Sequence, residues 1–489
     1  MVVTDRAPAS LGSNAASGVA WLTAQTWVAK AGGFVTLVIL ARLLEPADFG
    51  VVAVAMTVIS LVSLIADLGF GAYLTQVAAV TPRLASTAFW YSVGSGVVLA
   101  GLVAASAPLV ESMFGIAGVA AVMAAISPAV LFVSASAVPV ALLRRGLRFR
   151  VLAIQAVVAA VIAQIAAIIL AFSGFGVWAL VAQTVIAQAI ILAASWVTSR
   201  WRPARQFSRR DFGVMFRFGS SVVGINLIAA GRVWAENALI ATVLGAGALG
   251  RMTVAQRLVQ TTQEVAGAAI APVSTVVFAQ VRDDPERLRR GYDRALSLTY
   301  AVITPALTVI AVAAPVLVPF LFGAKWTHTA GVASALAVAA IFTVTATLDH
   351  GLFLGAGRPG RWLGYAAVVD VITLAVTAVL VWQGIVAVAL GFVVVAAVAT
   401  MVRSVLVCRL IGARLWSVAR RTLAALVCMA SSAAAGWLVL GALGSWPPLA
   451  AVAVVGVVVL AVHLASARLL LPGAMRDLGA EIRVRIRRS

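Results

Sequence analysis

Ionisable side chains set inside long apolar runs are the residues of this chain best suited to chemistry. Such a group at the centre of a bilayer helix costs on the order of 2.5–3.5 kcal/mol, so each must meet a wet cavity or a partner. Lys30 lies within the apolar run 17–42. Arg232 and Glu236 are i,i+4 neighbours in the run 213–242, a spacing that allows mutual neutralisation or joint exposure to a cavity. In the run 248–279, Arg257, Gln260 and Glu264 fall at i, i+3 and i+7 and share one helix face, with Arg251 one to two turns away toward the outside. Cations here suit an anion, because Arg and Lys replace the water around it with charge-assisted hydrogen bonds. Lys30, Arg232, Arg251, Arg257 and Gln260 are therefore the expected substrate contacts. Carboxylates in apolar runs suit a coupling ion or a gate, and Asp67, Glu236, Glu264, Asp349 and Asp370 are the candidates. Asp67 also suits a backbone hydrogen bond or an arginine partner. Asp349, beside His350, and Asp370 also suit a helix end or an interface.

No catalytic constellation accompanies these groups. The only lysines are Lys30 and Lys325, so no glycine-rich loop ends in the Lys-Ser/Thr pair of a P-loop. His328, His350 and His463 lie far apart without metal-ligand spacing, and Cys408 and Cys428 stand in apolar context. No catalytic residue, metal or cofactor is expected. Transport driven by an ion gradient, a membrane potential or a substrate gradient fits better than ATP hydrolysis.

The elements that position these residues follow from composition. Of 489 residues, 63% are hydrophobic and 11% charged, which requires lipid as solvent. The apolar blocks are continuous rather than alternating, so they are helices and not barrel strands. Expected spans lie near 17–42, 48–76, 85–110, 116–142, 151–172, 176–199, 213–242, 248–279, 296–322, 330–356, 362–383, 385–408, 419–441 and 447–470, about 14 in all. The net charge of +20 gathers as arginine in alternate breaks and in the tail, including Arg144, Arg145, Arg148 and Arg150, then Arg200, Arg202, Arg205, Arg209 and Arg210. That is the positive-inside pattern rather than a nucleic-acid footprint, and it places both termini in the cytoplasm. The N-terminus shows no removable signal peptide. Trp21, Trp27, Trp234 and Trp326 suit interfacial anchoring before sugar stacking. The segment DDPERLRRGYDR (283–294) reads as an amphipathic cytoplasmic helix near anionic lipid.

A repeat emerges at a displacement of 200 residues. LEPADFGVVAVA (44–55) meets LGAGALGRMTVA (244–255), pairing Leu44, Gly50, Val54 and Ala55 with Leu244, Gly250, Val254 and Ala255. Both stretches join the first and second spans of a six-span unit, so the repeat is parallel. The expected organisation is a cytoplasmic tail 1–16, a six-helix bundle 17–199, a basic linker 200–212, a second six-helix bundle 213–408, two additional helices in 409–470 and a basic tail 471–489.

With these motifs in hand, the chain resembles the Wzx-type polysaccharide flippases of the multidrug, oligosaccharidyl-lipid and polysaccharide exporter superfamily. The stretches that carry the resemblance are ARLLEPADFGVVAVA (41–55), LIADLGFGAYLTQ (64–76), ALLRRGLRFR (141–150), LGAGALGRMTVAQRL (244–258), GAKW (323–326) and GAGRPGRW (355–362). The resemblance implies two six-helix bundles with two further helices. It also implies alternating access that carries a polyprenyl-diphosphate-linked glycan to the outer leaflet of a bacterial inner membrane. Membrane lipids, a polysaccharide polymerase and glycosyltransferases are the implied partners. A peptidoglycan-precursor flippase or a small-molecule exporter of the same fold is the first alternative. A membrane-embedded glycan polymerase, ligase or acyltransferase is the second, although the short odd-numbered breaks leave little room for its catalytic loop.

Overall fold

The computed structural model describes residues 30–267, 284–444 and 446–470, all helical or in connecting turns. The 1–16 tail, most of the first expected span with Trp21 and Trp27, and the basic tail 471–489 lie outside the described residues. So does the side chain of Asp67. The helices are α1 (30–43), α2 (Pro46–Asp67), α3 (Phe70–Gln76), α4 (Pro82–Phe114), α5 (Val119–Ile126), α6 (Pro128–Arg145), α7 (Phe149–Phe172), α8 (Trp178–Ser199) and α9 (Arg209–Gly267). They continue as α10 (Pro285–Phe322), α11 (Thr329–Thr343), α12 (Ala346–Gly355), α13 (Pro359–Leu380), α14 (Ile385–Ile411), α15 (Leu415–Ala442) and α16 (Pro448–Leu470).

Local codes start and stop these helices. At α2, the Glu45 amide donates to Asp48 Oδ2 at 2.9 Å in a capping box, and Pro46 supplies the first helical φ. Thr81 caps α4 by accepting from the Leu84 amide at 3.1 Å, and Asp284 caps α10 by accepting from Glu286 and Arg287. Gly245, at φ 80° and ψ 172°, breaks α9 in the middle, a conformation that L side chains avoid.

Among the described residues, twelve segments are long and apolar enough to cross a membrane. The expected count is higher for two reasons. Only 30–43 of the first span is described, and the run 213–242 and the described part of 248–279 are two helical stretches joined directly at the Gly245 kink, so that they count as the single candidate Ala230–Glu264. The expected span 48–76 also stops early. Leu68 and Gly69 take left-handed conformations, at φ 45° and 67°, and turn the chain into α3. Arg145 then crosses to α3 and donates to the carbonyls of Leu74, Val77 and Ala78, satisfying the acceptors that a helix end leaves open.

The chain divides into two compact units, Met1–Gly250 and Arg251–Ser489. In the first, α7 packs on α8, and α6 packs on α4 and α8, around Phe70, Leu74, Ala88, Phe89, Val138 and Met215. In the second, α10 is central, bordered by α11, α15 and α16. Val312 and Ala313 of α10 bury against Val455 and Val459 of α16, and Arg421 of α15 meets Asp293 at 2.6 Å. The segment 283–294 is thus not a separate surface helix. Its described part is the first turns of α10, with Leu288 and Tyr292 buried because neighbouring helices cover that side. Trp326 is likewise no interfacial anchor: it is fully buried, with its ring 6.2 Å from that of Phe322.

Within the first unit, the two repeated stretches pack against each other. A Cβ on Gly50 would lie 1.9 Å from the Ala246 carbonyl oxygen, and a Cβ on Gly250 would lie 1.8 Å from the Pro46 carbonyl oxygen. Positions 46 and 246, and 50 and 250, exchange roles under the displacement of 200. Only glycine permits so close a backbone approach.

Candidate functional site

In the first unit, Arg232 of α9 donates through Nη1 to Glu236 Oε2 at 2.6 Å. Glu236 is buried and the arginine half-buried, so the i,i+4 spacing is realised as an ion pair. One turn on, Asn237 Nδ2 donates to Thr57 Oγ1 of α2 at 2.8 Å. Lys30 is the first described residue of α1 and is half-buried.

In the second unit, the stretch of α9 after Gly250 is sharply two-faced. Met252, Val254, Ala255, Leu258 and Val259 are buried, while Arg257, Gln260 and Glu264 stand uncovered by the chain. The i, i+3, i+7 pattern therefore forms one polar stripe, and at bilayer depth such a stripe must border water or a polar ligand. Arg251 lies on the other side of this helix, half-buried, with no hydrogen-bond partner for its Nε. Asp370 is half-buried on α13.

Asp349 has a different setting. Its Oδ2 lies 2.7 Å from Arg403 Nε of α14, and its Oδ1 accepts from the Tyr292 hydroxyl at 2.7 Å. All three residues are 2% exposed, which makes this a desolvated pair rather than a surface bridge. Arg403 Nη2 also donates to Thr345 Oγ1 at 2.8 Å and to the Phe342 carbonyl at 3.1 Å, and the Thr400 hydroxyl reaches the same carbonyl at 2.8 Å. These donors meet the backbone where α11 ends and α12 begins, at Val344 and Thr345. A helix interrupted inside a membrane must find substitutes for its lost hydrogen bonds, and α14 supplies them. Sequence reasoning did not single out Arg403. The available signal was one arginine within the apolar run 385–408, governed by the same cost that marked Lys30 and Arg257.

Fold and site together define an all-helical polytopic membrane protein with a MurJ/MATE-like fold. The structure is similar to an inward closed conformation of the lipid II flippase MurJ, with TM-score 0.74 and 13% identity over 94% of this chain and 99% of that one. It is also similar to an inward-facing multidrug resistance MATE family transporter of the MOP superfamily, with TM-score 0.62 and 17% identity over 78% and 94% of the two chains. Residues 39–331 match the family described as polysaccharide biosynthesis protein, and the chain belongs to that family. Among relatives, it is 27% identical over 297 residues to the succinoglycan biosynthesis transport protein ExoT of Rhizobium meliloti (strain 1021), covering 60% of each chain. It is 24% identical over 323 residues to the lipopolysaccharide biosynthesis protein WzxC of Escherichia coli (strain K12), covering 65% of each. The chain thus spans less than two thirds of the length of the curated relatives it matches.

Proposed function

We propose that this protein is a flippase that carries a polyprenyl-diphosphate-linked oligosaccharide from the cytoplasmic to the outer leaflet of a bacterial inner membrane, for surface polysaccharide assembly. The observation that carries this reading is the uncovered stripe of Arg257, Gln260 and Glu264 on a helix whose other side is buried. Arg257 and Gln260 supply the donors that a desolvated diphosphate needs. The family match and the relatives named for succinoglycan transport and lipopolysaccharide biosynthesis support a glycan as cargo.

In this reading, two parallel six-helix bundles, 17–199 and 213–408, alternate access to the cavity. The helices of 409–470 add a flank, both termini are cytoplasmic, and no ATP is hydrolysed. Lys30, Arg232, Arg251, Arg257 and Gln260 contact the diphosphate-sugar headgroup. Asp67, Glu236, Glu264, Asp349 and Asp370 serve coupling or gating. The reciprocal contact of the 44–55 and 244–255 stretches supports the repeat on which this organisation rests.

Complementation of a flippase-deficient strain tests the cations. Lys30→Gln and Arg257→Gln should each abolish surface glycan while protein accumulates normally. Arg232→Gln is best combined with Glu236→Gln, so that no buried carboxylate is left unpaired. Unchanged flipping in all three variants would remove the basis of the proposal. Reconstituted protein supplied with defined polyprenyl diphosphate glycans, with and without an imposed potential, then separates cargo from energy source.

A further inference from the structure

The arginine-rich linker after α8 is held in place, and it borders an open pocket that the transport reading does not use. Four side-chain contacts stitch the linker to the start of α4. The Trp90 indole donates to the Ala204 carbonyl at 2.9 Å, the Ala204 amide donates to Ser86 Oγ at 2.9 Å, the Ser208 amide donates to Thr87 Oγ1 at 3.0 Å, and Arg83 pairs with Asp211 at 2.9 Å. The basic linker is therefore preorganised.

Between the end of α8 and this strap lies an open pocket of about 700 Å³, lined by Trp196, Val197, Arg200, Trp201, Arg202 and Pro203. Its aromatic wall is fixed. Trp196 and Trp201 pack edge-on or tilted around Phe89, at ring separations of 5.3 and 5.6 Å, and the Trp196 indole donates to the Ala135 carbonyl. Its charge is uncompensated: among the described residues neither Arg200 nor Arg202 has a carboxylate partner, and no acidic residue occurs from 178 to 210. The end of α8 itself carries partial negative charge, which favours the two guanidinium groups there. Arg200 holds a left-handed backbone at φ 53° in a position that glycine ordinarily fills, which is the kind of strain that function retains. The pocket directly follows the candidate span Trp178–Ser199, and Val197 on its rim is 75% exposed, offering an apolar surface beside the charge.

We propose that Trp196, Arg200, Trp201 and Arg202 form a binding site for the phosphate headgroup of an anionic membrane lipid, with the acyl chains lying along Val197. Guanidinium forks match phosphate oxygens, and indole rings sit naturally at headgroup depth. The site does not depend on which molecule the protein transports.

The test uses the full chain in neutral detergent, titrated with phosphatidylglycerol, phosphatidylcholine or inorganic phosphate, with bound lipid counted by native mass spectrometry. Arg202→Gln should lower phosphatidylglycerol affinity about fivefold, with phosphatidylcholine retention unchanged. Arg200→Gly should lower it similarly while raising the melting temperature, because glycine takes the left-handed conformation freely. A purely structural Arg200 would instead give a rise in melting temperature with lipid retention intact, and that result overturns the proposal. Equal loss of phosphatidylcholine, or inorganic phosphate stabilising the protein as strongly as phosphatidylglycerol, would overturn the lipid assignment.

Discussion

Replacing Arg403 with Met should destabilise the protein by about 3–5 kcal/mol, more than replacing Arg403 and Asp349 together. The single change strands a carboxylate that is 2% exposed, leaving it neutral partners alone, the Tyr292 hydroxyl at 2.7 Å and the Thr345 side chain. It also removes the donor that serves Phe342 and Thr345 where α11 gives way to α12. The double variant Asp349→Leu/Arg403→Met removes both charges, so the desolvation cost disappears, and what is lost is the donor at Phe342 and Thr345 and the acceptor of the Tyr292 hydroxyl. Thermal unfolding of purified protein, with accumulation in membranes as a second readout, measures the order: wild type, then double, then single. A single variant as stable as the wild type, or a double worse than either single, would refute the account. Transport assays on the double variant carry further information. If Asp349 serves coupling, activity fails even where stability recovers.

The second large effect belongs to the glycine crossing in the first unit. Gly50→Ala and Gly250→Ala should each cost on the order of 3 kcal/mol, because the new methyl would sit under 2 Å from a backbone oxygen that cannot swing away. Gly247→Ala is the control. It lies within the second stretch, three residues before Gly250, yet a Cβ there meets nothing within 4 Å, so alanine should be tolerated and should gain slightly in helix propensity. Fluorescent-fusion accumulation and melting temperatures compare all three. Equal behaviour of Gly247→Ala and Gly250→Ala would show that the crossing is looser than drawn.

The spans were legible because a bilayer imposes one rule over some twenty residues, and a run such as 151–172 obeys it without a single charge. Interruptions were legible only where punctuation marked them. Gly245 announces its kink, but nothing in VTATLD tells that α11 gives way at Val344 and Thr345, because the donors that stabilise that break sit on α14. The Arg232–Glu236 pair was readable from spacing, since a helix alone brings i and i+4 together. The partnership of Asp349, Tyr292 and Arg403 joins three separate helices, and no local pattern encodes it. The strapping of the basic linker was illegible for the same reason, since Ser86, Thr87 and Trp90 far upstream hold it.

The glycine crossing has a consequence for how this sequence can change. In a homodimer, one substitution at a two-fold seam appears on both sides at once. Here the twin positions occupy one chain and vary separately. Glu45, Pro46 and Asp48 begin one helix through a capping box, whereas Gly245, Ala246 and Ala248 begin its counterpart through a left-handed glycine. Different local grammars thus deliver one shared backbone geometry. Only Gly50 and Gly250 remain bound to each other's fate, and the residues around them are free to diverge one side at a time.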